Sequence, residues 1–131
     1  MQWTPDLAVG VEEIDSQHQE MFRMAGQLFD AGNAYRGPGF FEELLGFLDS
    51  YTKKHFTDEE AYMESIGYPG LAEQQREHAD FLCRLLMLKD EFQQSGRSVD
   101  VILQTNRLVI GWLCNHISVM DKQIGEYVRT L

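Results

Sequence analysis

The chain has 131 residues, 44% apolar and 24% charged, the make-up of one globular domain with a single core. A formal net charge of −10 argues against nucleic-acid phosphates or an anionic membrane surface as partner, since both would repel it. No apolar run approaches the roughly twenty residues that span a bilayer, and no basic leader precedes one, so the chain reads as cytoplasmic.

Residues 1–15 read as an arm, because Pro5 and Gly10 interrupt any long helix. Its apolar residues Trp3, Leu7, Val9, Val11 and Ile14 predict that it packs on the body. A first helix is expected to start at Asp15 or Ser16, either being a good N-cap, and to run to Ala34. Its inward stripe is His18, Met21, Phe22, Ala25, Leu28 and Phe29. After a turn at Arg36-Gly37-Pro38-Gly39, a second helix over Pro38 to Ser65 carries a stripe of Phe41, Leu44, Leu45, Leu48, Tyr51, Thr52, His55, Glu59, Tyr62, Met63 and Ile66.

Gly67-Tyr68-Pro69-Gly70 ends it, and a third helix over Leu71 to Gln94 presents Leu71, Gln74, His78, Phe81, Leu85, Leu88 and Phe92 on one face. A break at Ser95-Gly96-Arg97-Ser98 leads to a fourth helix from Val99, with Ser98 as N-cap and Ile102, Thr105, Leu108, Val109, Trp112, His116 and Val119 inward. No period-two strand pattern occurs. Four helices joined by short turns predict an all-α, antiparallel up-down-up-down four-helix bundle. Cys83 and Cys114 lie inside helical segments and are expected to be buried free thiols; no CxxCH haem attachment is present.

The four histidines fall one per helix, all on the inward stripe. In an up-down-up-down bundle, a rise of about 1.5 Å per residue brings them within roughly two or three turns of the same end. A lone histidine on an apolar face is ordinarily a hydrogen-bonded core residue. Four at one level would be costly in a dry core with nothing to coordinate. Glu59 lies one turn beyond His55 on the same face. Asp121 follows His116 by five residues, about 140° around a regular helix, so a π-type turn is required to bring it inward. Histidine and carboxylate donors together suit iron, with zinc and manganese as alternatives. The residues point to a buried metal site.

The di-iron bundle built on paired Glu-x-x-His motifs does not match, since the chain has no such motif. The sequence resembles instead the hemerythrin family, specifically single-domain bacteriohemerythrins. The resemblance rests on His18, His55-x-x-x-Glu59, Gln74-x-x-x-His78 and His116-x-x-x-x-Asp121, six of seven ligand positions at the expected spacings. It extends through the arm (Trp3, Val9-Gly10-Val11, Ile14-Asp15, Gln17) and through Trp112-Leu113-Cys114-Asn115-His116-Ile117.

The resemblance implies a non-haem centre of two Fe ions, oxo- or hydroxo-bridged when oxidised. His18 and His55 would hold the iron that receives O2, His78 and His116 the other, and Glu59 and Asp121 would bridge them. Phe22, Phe56, Trp112 and Val119 are the candidates for a dry O2 pocket. At Gln74 the chain departs from the family's His-x-x-x-His. The amide oxygen could ligate weakly, could hold a water, or could leave that position poorly occupied. The implied function is reversible O2 carriage, storage or buffering by a cytoplasmic monomer. The alternatives are a redox enzyme acting on NO or peroxide through the Gln74 position, and an oxygen or redox sensor working through a protein partner.

Overall fold

The computed structural model describes residues 2–34, 38–95 and 98–131. A short 3-10 turn, Pro5–Leu7, is followed by α1 (Glu12–Ala34), α2 (Pro38–Ser65), α3 (Leu71–Gln94) and α4 (Val99–Asn115). A π-helical turn, His116–Asp121, then carries α4 directly into α5 (Lys122–Val128). No strand occurs among the described residues. Each helix packs on its two neighbours, α1 on α2 and α4, and α3 on α2 and α4, which is the ring of an antiparallel bundle. The turns expected at 36–39 and 95–98 lie partly outside the described residues.

The predicted stripes form the core. Met21, Phe22, Ala25 and Leu28 from α1 meet Phe41, Leu45, Leu48 and Phe56 from α2, Phe81, Leu85 and Phe92 from α3, and Ile102, Val109 and Leu113 from α4. Burying a side chain of this size stabilises by about 1.5–3 kcal/mol, so the stripe sets which way each helix turns. Phe29 departs from the expectation: it is 42% exposed and lines an open cavity of about 850 Å³ with Trp3, Phe22 and Ile110, between the arm, α1 and α4. Neither cysteine forms a disulfide among the described residues, but Cys83 is exposed and Cys114 only half-buried against the core, where burial of both was expected.

The arm packs as its apolar residues predict. Trp3 and Leu7 lie against the main core, and Val9 and Ile14 join Met63 and Ile124 in a second cluster. Helix α1 begins at Glu12, three residues before the earlier of the two expected caps. Asp15 does not cap that helix. Its carboxylate accepts from the Val9 and Gly10 amides (2.7 and 3.1 Å), pinning the arm to α1, and Gly10 makes the bend at φ +92°, a conformation glycine adopts without strain. At the far side the Val9 carbonyl lies so close to Gly125 that a Cβ there would overlap it. Ser98 caps α4 as expected, accepting from the Asp100 and Val101 amides.

Candidate metal centre

The bundle brings His18, His55, Glu59, Gln74, His78, His116 and Asp121 together at one level, each 3% exposed or less. Six arrive by helical register alone. Asp121 needs the π turn, whose i→i+5 repeat stacks residue 121 over residue 116 and leaves Asp121 1% exposed. Ser118 contributes to that irregularity: its hydroxyl donates to the Cys114 carbonyl, a back-bond of the kind that bends helices.

The carboxylates divide the histidines into two sets. Glu59 Oε2 lies 3.1 Å from His55 Nε2 and 3.4 Å from His18 Nε2, while Oε1 lies 3.2 Å from His78 Nε2. Asp121 Oδ2 is 3.0 Å from His18 Nε2, and Oδ1 is 3.2 Å from His116 Nε2. The ring of His18 sits beside that of His55, and the ring of His78 beside that of His116, at 4.7 and 5.1 Å. Ligand atoms of His18, His55, Glu59 and Asp121 all lie within 4.8 Å of one another, and so do those of Glu59, His78 and His116. Glu59 is common to both sets.

Two side chains that the sequence reading did not assign to the site orient these imidazoles. Gln17 Nε2 donates to the Asp58 carboxylate (2.9 Å), so its amide oxygen must face His55 Nδ1, 2.6 Å away. His55 therefore carries its proton on Nδ1 and turns the Nε2 lone pair toward Glu59. Across the bundle Glu60 accepts from His78 Nδ1 at 2.7 Å, with the same consequence for His78. Gln17 is a buried polar residue beside His18, which was a usable signal. Glu60 follows Glu59 on a half-buried flank, and nothing in its spacing singled it out.

The donors fit a cation better than they fit each other. Buried polar atoms are almost always hydrogen-bonded. Here both ring nitrogens of His18 and His116, His78 Nε2, both Glu59 oxygens, Asp121 Oδ2 and Gln74 Oε1 are buried without a well-formed hydrogen bond. An imidazole lone pair facing a carboxylate oxygen at 3.1–3.2 Å is repulsive unless a proton or a cation lies between them. Without a metal, protons take that role in part. Burial alone would lower the His18 pKa, but contact with Asp121 and Glu59 overturns this and raises it from 6.5 to about 9. Burial opposes ionisation of Glu59 as well, yet His18, His55 and His78 hold it well below the usual carboxylate range. Asp121 is also lowered, by His116 and His18 against burial and the charge of Glu59. The cluster is a set of charged forms waiting for positive charge.

Gln74 is fully buried, and its amide nitrogen donates to Asp121 Oδ1 at 3.0 Å. Of the expected pocket residues, Phe56 stacks on His78 (3.8 Å, 4° between planes) and the half-buried Trp112 stacks on His116 (4.2 Å, 11°). Phe22 is buried in the adjoining core. Val119 corrects the expectation: it is 50% exposed, because the wider π turn that swings Asp121 inward swings Val119 out. Ile117, 1% exposed, is the aliphatic residue of that turn in the core.

A family model described as the hemerythrin HHE cation binding domain matches residues 9–128. Proteins named bacteriohemerythrin from Stenotrophomonas maltophilia and Pseudomonas aeruginosa are each 32% identical over 127 residues, which covers 97% of this chain and 80% of each relative. That of Methylococcus capsulatus is 30% identical over 126 residues, 95% of this chain and 94% of its own. A crystal structure of wild-type hemerythrin superposes with a TM-score of 0.84 at 31% identity, covering 96% of this chain and 95% of that one.

Proposed function

The chain belongs to the hemerythrin family, and from that premise we propose that it binds O2 reversibly at a non-haem di-iron centre, to carry, store or buffer oxygen. The observation that carries this reading is the split set of unpartnered donors. One carboxylate, Glu59, turns a different oxygen toward each pair of imidazoles, the arrangement a two-metal centre requires. His18 and His55 would hold the iron that meets O2, His78 and His116 the other, and Glu59 and Asp121 would bridge. Held by these residues, a ferrous pair would supply the two-electron reducing capacity that reversible O2 uptake needs.

The chain's own residues do the rest. Gln17 and Glu60 hold His55 and His78 in the tautomer that offers Nε2 inward. Phe22, Phe56 and Ile117 keep water from the site, which suppresses the proton delivery that would make oxygen uptake irreversible. No helix among the described residues is long and apolar enough to cross a membrane. In this reading the protein works as a single cytoplasmic domain and a monomer.

Gln74 favours a second reading. Where an imidazole is replaced by an amide, the iron beside His78 and His116 would have a weaker or open position, suited to redox turnover of NO or peroxide. One experiment separates the two. Protein loaded anaerobically with ferrous iron is followed by visible absorption as O2 is added and then removed by argon. A charge-transfer band that appears with O2 and disappears without it supports carriage. A band that decays within seconds, with product accumulating over many turnovers, supports the enzyme reading.

A further inference from the structure

Gln74 occupies a position whose chemistry is fixed by its neighbour. Gln74 Nε2 donates to Asp121 Oδ1 at 3.0 Å, and a Gln74 oxygen placed there instead would meet another acceptor oxygen and be repelled. The amide must therefore present its nitrogen to Asp121, which leaves the amide oxygen fixed. That oxygen is buried and has no hydrogen-bond partner among the described residues, a state buried carbonyls rarely keep. A cation held beside His116, whose Nε2 shares Asp121 Oδ1 with Gln74, would supply the partner it lacks.

The same hydrogen bond also acts on Asp121. Its two oxygens face different halves of the centre: Oδ2 lies by His18, and Oδ1 lies by His116. Only Oδ1 is engaged by Gln74, so the half beside His116 receives the weaker carboxylate oxygen. Ligand atoms of His18, His55, Glu59 and Asp121 all lie within 4.8 Å of one another, whereas the set around His78 and His116 shares only Glu59 at that spacing, with Asp121 Oδ1, 3.2 Å from His116 Nε2, engaged by the Gln74 amide.

We infer that Gln74 makes the two metal positions unequal, its nitrogen restraining Asp121 Oδ1 and its oxygen serving as a neutral donor to the second cation. The His18 half fills first and tightly; the His78 half fills second and releases its ion more readily. This rests on the two-metal reading of the site, and its test is independent of oxygen chemistry.

The test is anaerobic calorimetric titration of the metal-free protein with Zn(II), a redox-silent probe, for the wild type, Gln74→His and Gln74→Ala, with circular dichroism confirming that each is helical. For the wild type the expected result is two steps of one equivalent each, the second about 10–100-fold weaker, the size of effect that support groups have at metal sites. Gln74→His should tighten the second step toward the first. Gln74→Ala, which keeps the helix but removes the oxygen, should weaken the second step by a further tenfold or more and leave the first within about threefold. Two equal steps in the wild type that Gln74→His does not alter would overturn the inference while leaving the centre intact. A second step that Gln74→Ala leaves unchanged would overturn the donor role of the amide oxygen. Uptake of less than one tightly held equivalent by the wild type would instead overturn the two-metal reading on which the inference rests.

Discussion

Gln17→Leu tests whether the imidazoles are set by the groups behind them. The change removes the acceptor 2.6 Å from His55 Nδ1 and the donor to Asp58, at a site where Gln17 and His55 are 6% and 1% exposed. In the metal-free protein His55 has an escape: its proton can move to Nε2, which lies 3.1 Å from Glu59 Oε2. The stability lost is then that of a buried nitrogen without a partner, about 1 kcal/mol at the low end of the usual 1–3. At roughly 2.1 cal/mol/K per residue of unfolding entropy, this lowers Tm by about 3–4 °C. Metal binding suffers more, because the escape places the proton on the nitrogen that must ligate. The Zn(II) affinity of the first equivalent should fall about 10–100-fold, or about 1.4–2.7 kcal/mol. Thermal melting and calorimetric titration read the two quantities separately. A first-step affinity within twofold of wild type would refute the claim that Gln17 selects the His55 tautomer.

Further outcomes follow from the electrostatics, the arm and the π turn. The raised pKa of His18 adds stability to the metal-free fold that is complete below pH 6.5 and lost as pH rises to about 9. The lowered pKa of Glu59 adds stability that is complete above its ordinary 4.5 and lost as pH falls. The metal-free Tm should therefore decline between pH 6.5 and 9; a flat or rising Tm across that window would contradict the assignment. Gly125→Ala drives a methyl into the Val9 carbonyl and should cost about 1–3 kcal/mol, with earlier chymotryptic cleavage after Trp3 or Leu7 as the check on the arm. Val119→Ala should change stability by less than about 0.5 kcal/mol and leave the O2-dependent spectrum unaltered, since the side chain faces solvent.

The donor set was legible because helical periodicity is local. Spacings of three and four placed His18, His55, Glu59, Gln74 and His78 on inward stripes, and short turns between long helices brought those stripes to one level. The spacing of five between His116 and Asp121 was legible too, but only as a conflict with the regular helix that a π turn would resolve. The same turn misled at Val119, because regular-helix geometry was extended through it. Phe29 and Cys83 were misread for a related reason: a stripe says which way a residue points, not whether a neighbouring helix covers it.

The sequence by itself determined the class of fold, the level of the centre and the identity of its donors, since each depends on contacts within one helix or on helices simply alternating in direction. The tertiary structure decided which groups stand behind those donors. Gln17 reaches His55 across 38 positions, Gln74 reaches Asp121 across 47, and Glu60 reaches His78 across 18. Such pairs depend on the axial register and rotation of one helix against another, to within a fraction of the 5.4 Å pitch. Periodicity carries no information at that scale, whereas packed side chains set it. The direction of the Gln74 amide is the sharpest case: the residue's identity was plain from the sequence, and only the carboxylate opposite decided which atom faces which way.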